Sequence, residues 1–267
     1  MGHPQALQIA IDGPAGAGKS TVARKLADHL GYLYIDTGAM YRASTWLALK
    51  NDIPLTDGDA IAALASNSNI QLKPADESSD GKIRVFVDGQ EITREIRTQR
   101  MSELTAGIAA LGKVRAVLVE KQRELAREGF CVIDGRDIGT VVMPDAGLKV
   151  FLTASPEERA RRRQKELAAQ GETPDFEALL KAINERDYLD CNRAVSPLMR
   201  AVDAVELITD NMTIDDVVLE LEKLAKEAFQ PAPAPAQPRA HEREAASALT
   251  DFQELPEFQE LPEAQEV

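Results

Sequence analysis

Gly13-Pro14-Ala15-Gly16-Ala17-Gly18-Lys19-Ser20 spells G-x-x-x-x-G-K-[ST] in full. It leaves an apolar run, Leu7–Ile11, and enters the amphipathic stretch Thr21–Leu30. That context suits a phosphate cradle. Glycines let successive backbone N–H groups curl around phosphate oxygens, and a helix N-terminus adds positive dipole. Lys19 supplies a mobile point charge for β/γ oxygens, and Ser20 offers a hydroxyl to Mg²⁺. A nucleoside triphosphate site is expected over Gly13, Pro14, Ala15, Gly16, Ala17, Gly18, Lys19, Ser20 and Thr21. The alternative is a glycine-rich strand–helix turn that binds nothing.

Arginines suited to further phosphate surround this motif. Arg42 closes Asp36-Thr37-Gly38-Ala39-Met40-Tyr41-Arg42, and Arg136 stands in Asp134-Gly135-Arg136-Asp137 just past an apolar run. Arg159, Arg161, Arg162 and Arg163 crowd one helical stretch, with Arg186 and Arg193 beyond. Guanidinium forks bind phosphate bidentately and keep their charge. Two readings of 155–168 stay open. Glu157 and Glu158 pair with Arg161 and Arg162 on a solvated face, or the helix is a lid that brings arginines over a transferred phosphoryl group. Asp134 is placed to hold a Mg²⁺-bound water, or else caps the next turn. No Asn-Lys-x-Asp run is present to read guanine.

The elements that must position these groups alternate. Strands are expected at Leu7–Ile11, Tyr32–Ile35, Phe130–Ile133, Leu148–Leu152 and Val205–Ile208. Helices are expected at Thr21–Leu30 (stopped by Gly31), Ala39–Leu49, Val114–Arg127, 155–168, Phe176–Leu189 and Ile214–Ala228. Ser155 with Glu158 reads as a capping box. The alternation predicts an α/β doubly wound parallel sheet of about five strands, covered on both faces. Asn69–Arg97 breaks it: Ile70-Gln71-Leu72 and Ile83–Val87, followed by Asp88-Gly89, read as a small antiparallel insertion.

The 267 residues carry 31 Lys and Arg against 44 Asp and Glu, a net charge of −13, with 4% aromatics. That balance argues against a nucleic-acid binder. No apolar run approaches a membrane span, and the N-terminus lacks the basic and apolar regions of a signal peptide, so a cytoplasmic protein is expected. Two cysteines, Cys131 and Cys191, and three histidines make neither a disulfide framework nor a His/Cys metal site. Cys191 reads as a passive thiol. From Pro231 a proline at every second residue forbids a helix. The α/β body is therefore expected to end at 229. Residues 230–267 form a Pro/Ala-rich linker and an acidic disordered tail with Phe-Gln-Glu-Leu-Pro-Glu at 252–257 and 258–263.

The chain resembles the bacterial cytidylate kinases of the nucleoside monophosphate kinase family. The matching segments are residues 11–20, 36–42, 96–98, Asp-Gly-Arg-Asp-Ile-Gly-Thr-Val-Val at 134–142, Glu-Glu-Arg-Ala-Arg-Arg-Arg at 157–163, and 185–187 with 192–198. The resemblance covers about residues 6–228. It implies transfer of the γ-phosphoryl of MgATP to CMP or dCMP, with a monophosphate-binding insertion at about 68–112 and a helical lid at about 155–193. Lys19, Arg136, Arg159, Arg163 and Arg186 would be catalytic, and Ser20 and Asp134 would serve Mg²⁺. Arg42, Arg136 and Arg193 match positions at the acceptor phosphate, and Thr37, Arg115 and Asp137 positions at the cytosine. Arg186 and Asp190 match the sugar side, with Asp36, Gly38 and Tyr41 completing the CMP site. The chain departs from relatives at Thr37, often Ser, and at Ala106, where some have a base-contacting serine. The resemblance also implies a monomer. Two other readings remain: a P-loop kinase for UMP or a non-nucleotide alcohol, and a nucleotide-binding interaction protein whose tail meets a protein partner.

Overall fold

The computed structural model describes residues 8–229, apart from 77, 78, 80 and 170. Five strands form a parallel sheet: β1 (Gln8–Asp12), β2 (Leu33–Asp36), β6 (Cys131–Gly135), β7 (Leu148–Thr153) and β8 (Val205–Ile208), in the order β2-β6-β1-β7-β8. Period-two alternation divides their side chains between two cores. Ile9, Ile11 and Val132 point to the face packed by α1 (Lys19–Leu30) and α8 (Ile214–Ala228), with Val22, Leu26, Val217 and Leu221. Ala10, Cys131 and Ile133 point to the other face, beneath α2 (Thr37–Lys50) and α5 (Gly112–Leu125). Burial on both faces is what a parallel sheet requires. The doubly wound α/β architecture expected from the alternation is therefore present.

Helix ends follow local chemistry. Gly31 ends α1 in the left-handed region at φ 69°, where its N–H reaches Ala27 and Asp28 carbonyls. α6 (Pro156–Ala169) begins with proline at its first position, and the Glu158 N–H donates to Ser155 Oγ at 3.3 Å. The expected capping box stops at that half. The Ser155 N–H instead donates to Asp210, because Glu158 is drawn to Arg161 and Arg162 at 3.1 and 3.0 Å. α7 (Phe176–Asn192) follows, capped by Asp175.

The antiparallel insertion is also present, as β3 (Ile70–Lys73), β4 (Arg84–Val87) and β5 (Gln90–Glu91). Asp88 and Gly89 both have positive φ, 50° and 83°, as a tight hairpin of this kind demands. Val85 and Val87 are buried in the same core as Ala10 and Ile35, so the insertion continues one face of the body. Two helices absent from the expectations flank it, α3 (Gly58–Asn67) and α4 (Gln99–Ile108). Among the described residues no helix is long and apolar enough to cross a membrane. The expected linker and acidic tail at 230–267 lie outside the described residues.

Candidate active site

β1, β2 and β6 each bring an aspartate to the C-terminal edge of the sheet, where open α/β sheets bind ligands. Asp12 pairs in register with Gly135, and Asp36 with Asp134. Immediately after Asp12 the chain turns at Gly13. A Cβ there would sit 2.0 Å from the Leu152 carbonyl oxygen of β7, so only glycine fits. Gly16 and Gly18 adopt φ 76° and 90°, wrapping the loop toward α1. The N-terminus of α1 has no capping side chain and no acid in its first turn, which leaves its amides and dipole to an anion. Lys19 folds back over this loop, its Nζ donating to the Pro14 carbonyl at 2.7 Å. Burial, reinforced by the charge of Arg136, pulls the Lys19 ammonium down to about 7.

Ser20 Oγ donates to Asp134 Oδ2 at 2.7 Å, and the Tyr34 hydroxyl donates to Oδ1 at 2.8 Å. The Asp134 carboxylate therefore takes hydroxyls, and the turn after β6 is capped from elsewhere. Asp12 does that, accepting the Ile138 and Gly139 N–H groups at 2.8 and 2.7 Å. Burial pushes both Asp12 and Asp134 up to about 6; for Asp134 the Asp36 charge adds to it. A hydroxyl beside a carboxylate is an oxygen-only donor pair, the kind a hard cation such as Mg²⁺ takes. Among the described residues no cluster of three or more His, Cys, Asp or Glu is arranged to hold a metal by itself.

The expected acceptor residues converge around two buried aspartates. Asp137 is ion-paired with Arg115 of α5, and Arg193 Nη2 stands 3.5 Å from its other oxygen. The Arg115 guanidinium also lies over the Tyr41 ring, 5.6 Å from its centroid. Asp190, on α7, accepts from Arg136 Nε at 3.0 Å and Arg186 Nε at 3.2 Å. Although burial opposes it, those two charges hold the Asp190 carboxyl below its ordinary range. Asp36 caps α2 through the Ala39 N–H and restrains Arg42 at 3.1 Å. The Thr37 hydroxyl donates to the Asp134 carbonyl at 2.7 Å, close enough that Gly135 has no room for a Cβ. A Cβ at Gly38 would come within 3.0 Å of Arg42. Tyr41 Oη, Arg42 Nε, Arg115 Nε and Arg193 Nη2 are buried with no hydrogen-bond partner among the described residues. Donors left unpaired in this way suit a polar, anionic ligand.

Two expected catalytic arginines stand differently. Arg159 is almost fully buried and engaged: it donates to the Ala154 and Ala15 carbonyls, each at 3.0 Å, and pairs with Asp187. It ties α6 and α7 to the back of the phosphate loop. Arg163 pairs with Glu166 and reaches Gln99 Oε1 of α4 at 3.1 Å. Arg162, besides its pair with Glu158, holds the Thr209 carbonyl at 2.6 Å and leans toward the Ala17 carbonyl at 3.5 Å. The solvated-face pairing thus holds for Glu158 with Arg161 and Arg162, while Arg159 is buried. Asp12 and Tyr34 are site residues that the sequence motifs do not name. For Asp12 the signal was its place between a buried strand and the glycine-rich loop. Cys131 is buried, which pushes its thiol up to about 12, and Cys191 is raised too.

The chain is similar in sequence to known proteins. The sequence model of the family described as cytidylate kinase matches residues 9–227. A cytidylate kinase of Desulforamulus reducens is 55% identical over 210 residues, 79% of this chain and 92% of that protein. One from an Exiguobacterium species is 48% identical over 223 residues, 84% of this chain and 98% of the relative. A bifunctional pantoate ligase/cytidylate kinase of Synechocystis is 52% identical over 219 residues, 82% of this chain but 42% of that longer protein.

Proposed function

The chain belongs to the cytidylate kinase family and is an ATP-dependent kinase that phosphorylates CMP; on that premise we propose that the γ-phosphoryl group of MgATP passes to CMP or dCMP across the edge where β1, β2 and β6 end. The observation that carries the assignment is the buried Asp137–Arg115 pair, with Tyr41 Oη and Arg115 Nε lacking hydrogen-bond partners among the described residues and Arg193 Nη2 3.5 Å from Asp137. Cytosine offers an exocyclic amine beside N3 and O2, which a carboxylate and a guanidinium complement. Uracil would set a carbonyl against Asp137, and a site built to hydrogen-bond rejects such a mismatch strongly.

The acceptor phosphate falls to Arg42, Arg136 and Arg193, and the sugar side to Arg186 and Asp190. Asp190 holds Arg136 and Arg186 ready, and an incoming phosphate would compete with it for Arg136. The attacking phosphate oxygen is already substantially ionised near neutrality, since such a second pKa is about 6. No general base is needed, and the chain's part is in-line positioning and charge stabilisation. Lys19 serves the transferred group, and the α1 N-terminus binds the phosphates of the donor. Mg²⁺, when bound with ATP, would neutralise developing charge, held through Ser20 with Asp134 acting through water. Arg159 and Arg163 reach a phosphate only after releasing Asp187 and Glu166, which makes 155–193 a lid whose closure would exclude water. We further propose a cytoplasmic monomer, with residues 230–267 as a linker and tail dispensable for turnover. A coupled ADP-release assay with MgATP against CMP, dCMP, UMP, AMP and GMP tests the substrate assignment. Rapid turnover confined to CMP and dCMP supports it, and equal turnover of UMP contradicts it.

A further inference from the structure

Asp137 occupies the N-cap position of a π-helical turn, Ile138–Val142, yet its side chain makes no capping hydrogen bond there. An aspartate in that position ordinarily accepts from the first amides of its own turn. Here a residue 125 positions away in the chain does so. Asp12, last in β1 and 4% exposed, takes the Ile138 N–H on one carboxylate oxygen and the Gly139 N–H on the other. The turn leaves little room for anything else: a Cβ on Gly139 would come within 3.4 Å of Asp12 Oδ2 and within 3.2 Å of the Lys149 stem. The Lys149 ammonium itself is committed to Asp203. Asp12 is thus held by two fixed backbone dipoles, with no cation at hydrogen-bonding distance among the described residues, and its next neighbour in the chain is Gly13 of the phosphate loop.

We propose that Asp12 is a positioning residue that couples the donor loop to the acceptor site, by capping the 138–142 turn in place of Asp137 and so freeing Asp137 to read the acceptor base. The inference rests on the acceptor-site reading given above. One residue then carries the start of the ATP loop through its backbone and the orientation of the base-reading carboxylate through its side chain. The distance across which the phosphoryl group moves is fixed by one rigid link, and misplacement on the scale of 1 Å is enough to cost such a reaction about 10²-fold.

Asp12→Asn keeps the volume but turns an NH₂ toward one of the two amides. It should raise KM for CMP and lower the CMP-over-UMP ratio of kcat/KM by on the order of tenfold or more. ADP affinity, read by titration calorimetry, should stay close to wild type. A wild-type KM and ratio, or a fall in kcat alone, overturns the proposal. If Asp12→Asn does not fold, Asp12→Ser, which retains one acceptor, is measured in the same way. Loss of ADP binding together with CMP binding in both variants shows Asp12 supporting the whole fold, and also overturns it. Asp137→Asn run in parallel separates the two levels. If that variant keeps the wild-type ratio, the acceptor-site reading fails, whereas a lowered ratio there with an unchanged one in Asp12→Asn removes the present proposal alone.

Discussion

Ser20 and Asp134 meet at 2.7 Å, joining the first turn of α1 to the end of β6 across 114 residues of sequence. In the proposed site this pair would serve the Mg²⁺ that arrives with ATP, because a nucleotide brings most of the cation's oxygen ligands itself. Asp134→Asn can keep the Ser20 contact through its amide oxygen but removes the negative charge. It should lower kcat and weaken Mg²⁺ activation by about 10- to 100-fold, as loss of an outer-sphere metal partner does. A Mg²⁺ titration of the rate, with Mn²⁺ binding measured directly, checks it.

Among the described residues no acidic side chain contacts buried Lys19, and burial pulls its ammonium down to about 7. Lys19→Met should therefore abolish most turnover, by about 10²- to 10³-fold, while making the nucleotide-free protein more stable, by about 1 to 4 kcal/mol. The sign of the pH dependence follows from the direction of the shift. Below pH 7 the lysine is charged in folded and unfolded chains alike, and the folded state bears the full cost of burial. As pH rises from 7 toward the unfolded value of 10.5 that cost fades, so the advantage of Lys19→Met should shrink over the same interval. Thermal melts of both proteins across pH 6 to 9, with no nucleotide, measure it.

The same depressed lysine makes ATP binding a proton-linked event. A triphosphate beside Nζ favours the charged ammonium and drives its pKa back up. Binding above pH 7 should take up a fraction of a proton, and the uptake should grow from pH 7 to 8. Calorimetric titrations in buffers of different ionisation enthalpy detect it, and Lys19→Met should lose it.

Arg159 and Arg163 look alike in the sequence, four residues apart on one basic helix, but their surroundings separate them. Arg159→Met leaves Asp187 and the Ala15 carbonyl without their donor and should destabilise the protein by about 3 to 5 kcal/mol, the cost of breaking a buried ion pair. Arg163, half-exposed beside Glu166 and Gln99, should cost less than about 1 kcal/mol when replaced by alanine. Denaturant unfolding of the two variants compares them.

That contrast also shows where sequence reasoning reached its limit. The phosphate loop was legible because glycine spacing, lysine and hydroxyl all serve one ligand and lie next to one another. The strands were legible from runs such as Leu148–Leu152, buried on both faces. α4 was not, because its buried stripe runs Met101, Thr105, Ile108, and the central position is a threonine. The threonine is satisfied inside by the Met101 carbonyl at 2.7 Å and the Thr45 hydroxyl at 3.0 Å, contacts no local pattern announces. The capping box failed for a related reason: Asp210, 55 residues away, outcompetes Glu158 for the Ser155 N–H. Asp12 and Tyr34 act on residues more than 90 positions distant, and only the strand order brings them there.

The most direct test of the acceptor site is the ratio of kcat/KM for CMP over UMP in the wild-type protein and in Asp137→Asn. With Asp137 reading the exocyclic amine, the wild-type ratio should be about 10²-fold or more, and the amide variant should lose most of it chiefly by turning over CMP poorly. An Asp137→Asn protein that keeps the wild-type ratio, with its fold intact by melting, would contradict the account at its centre.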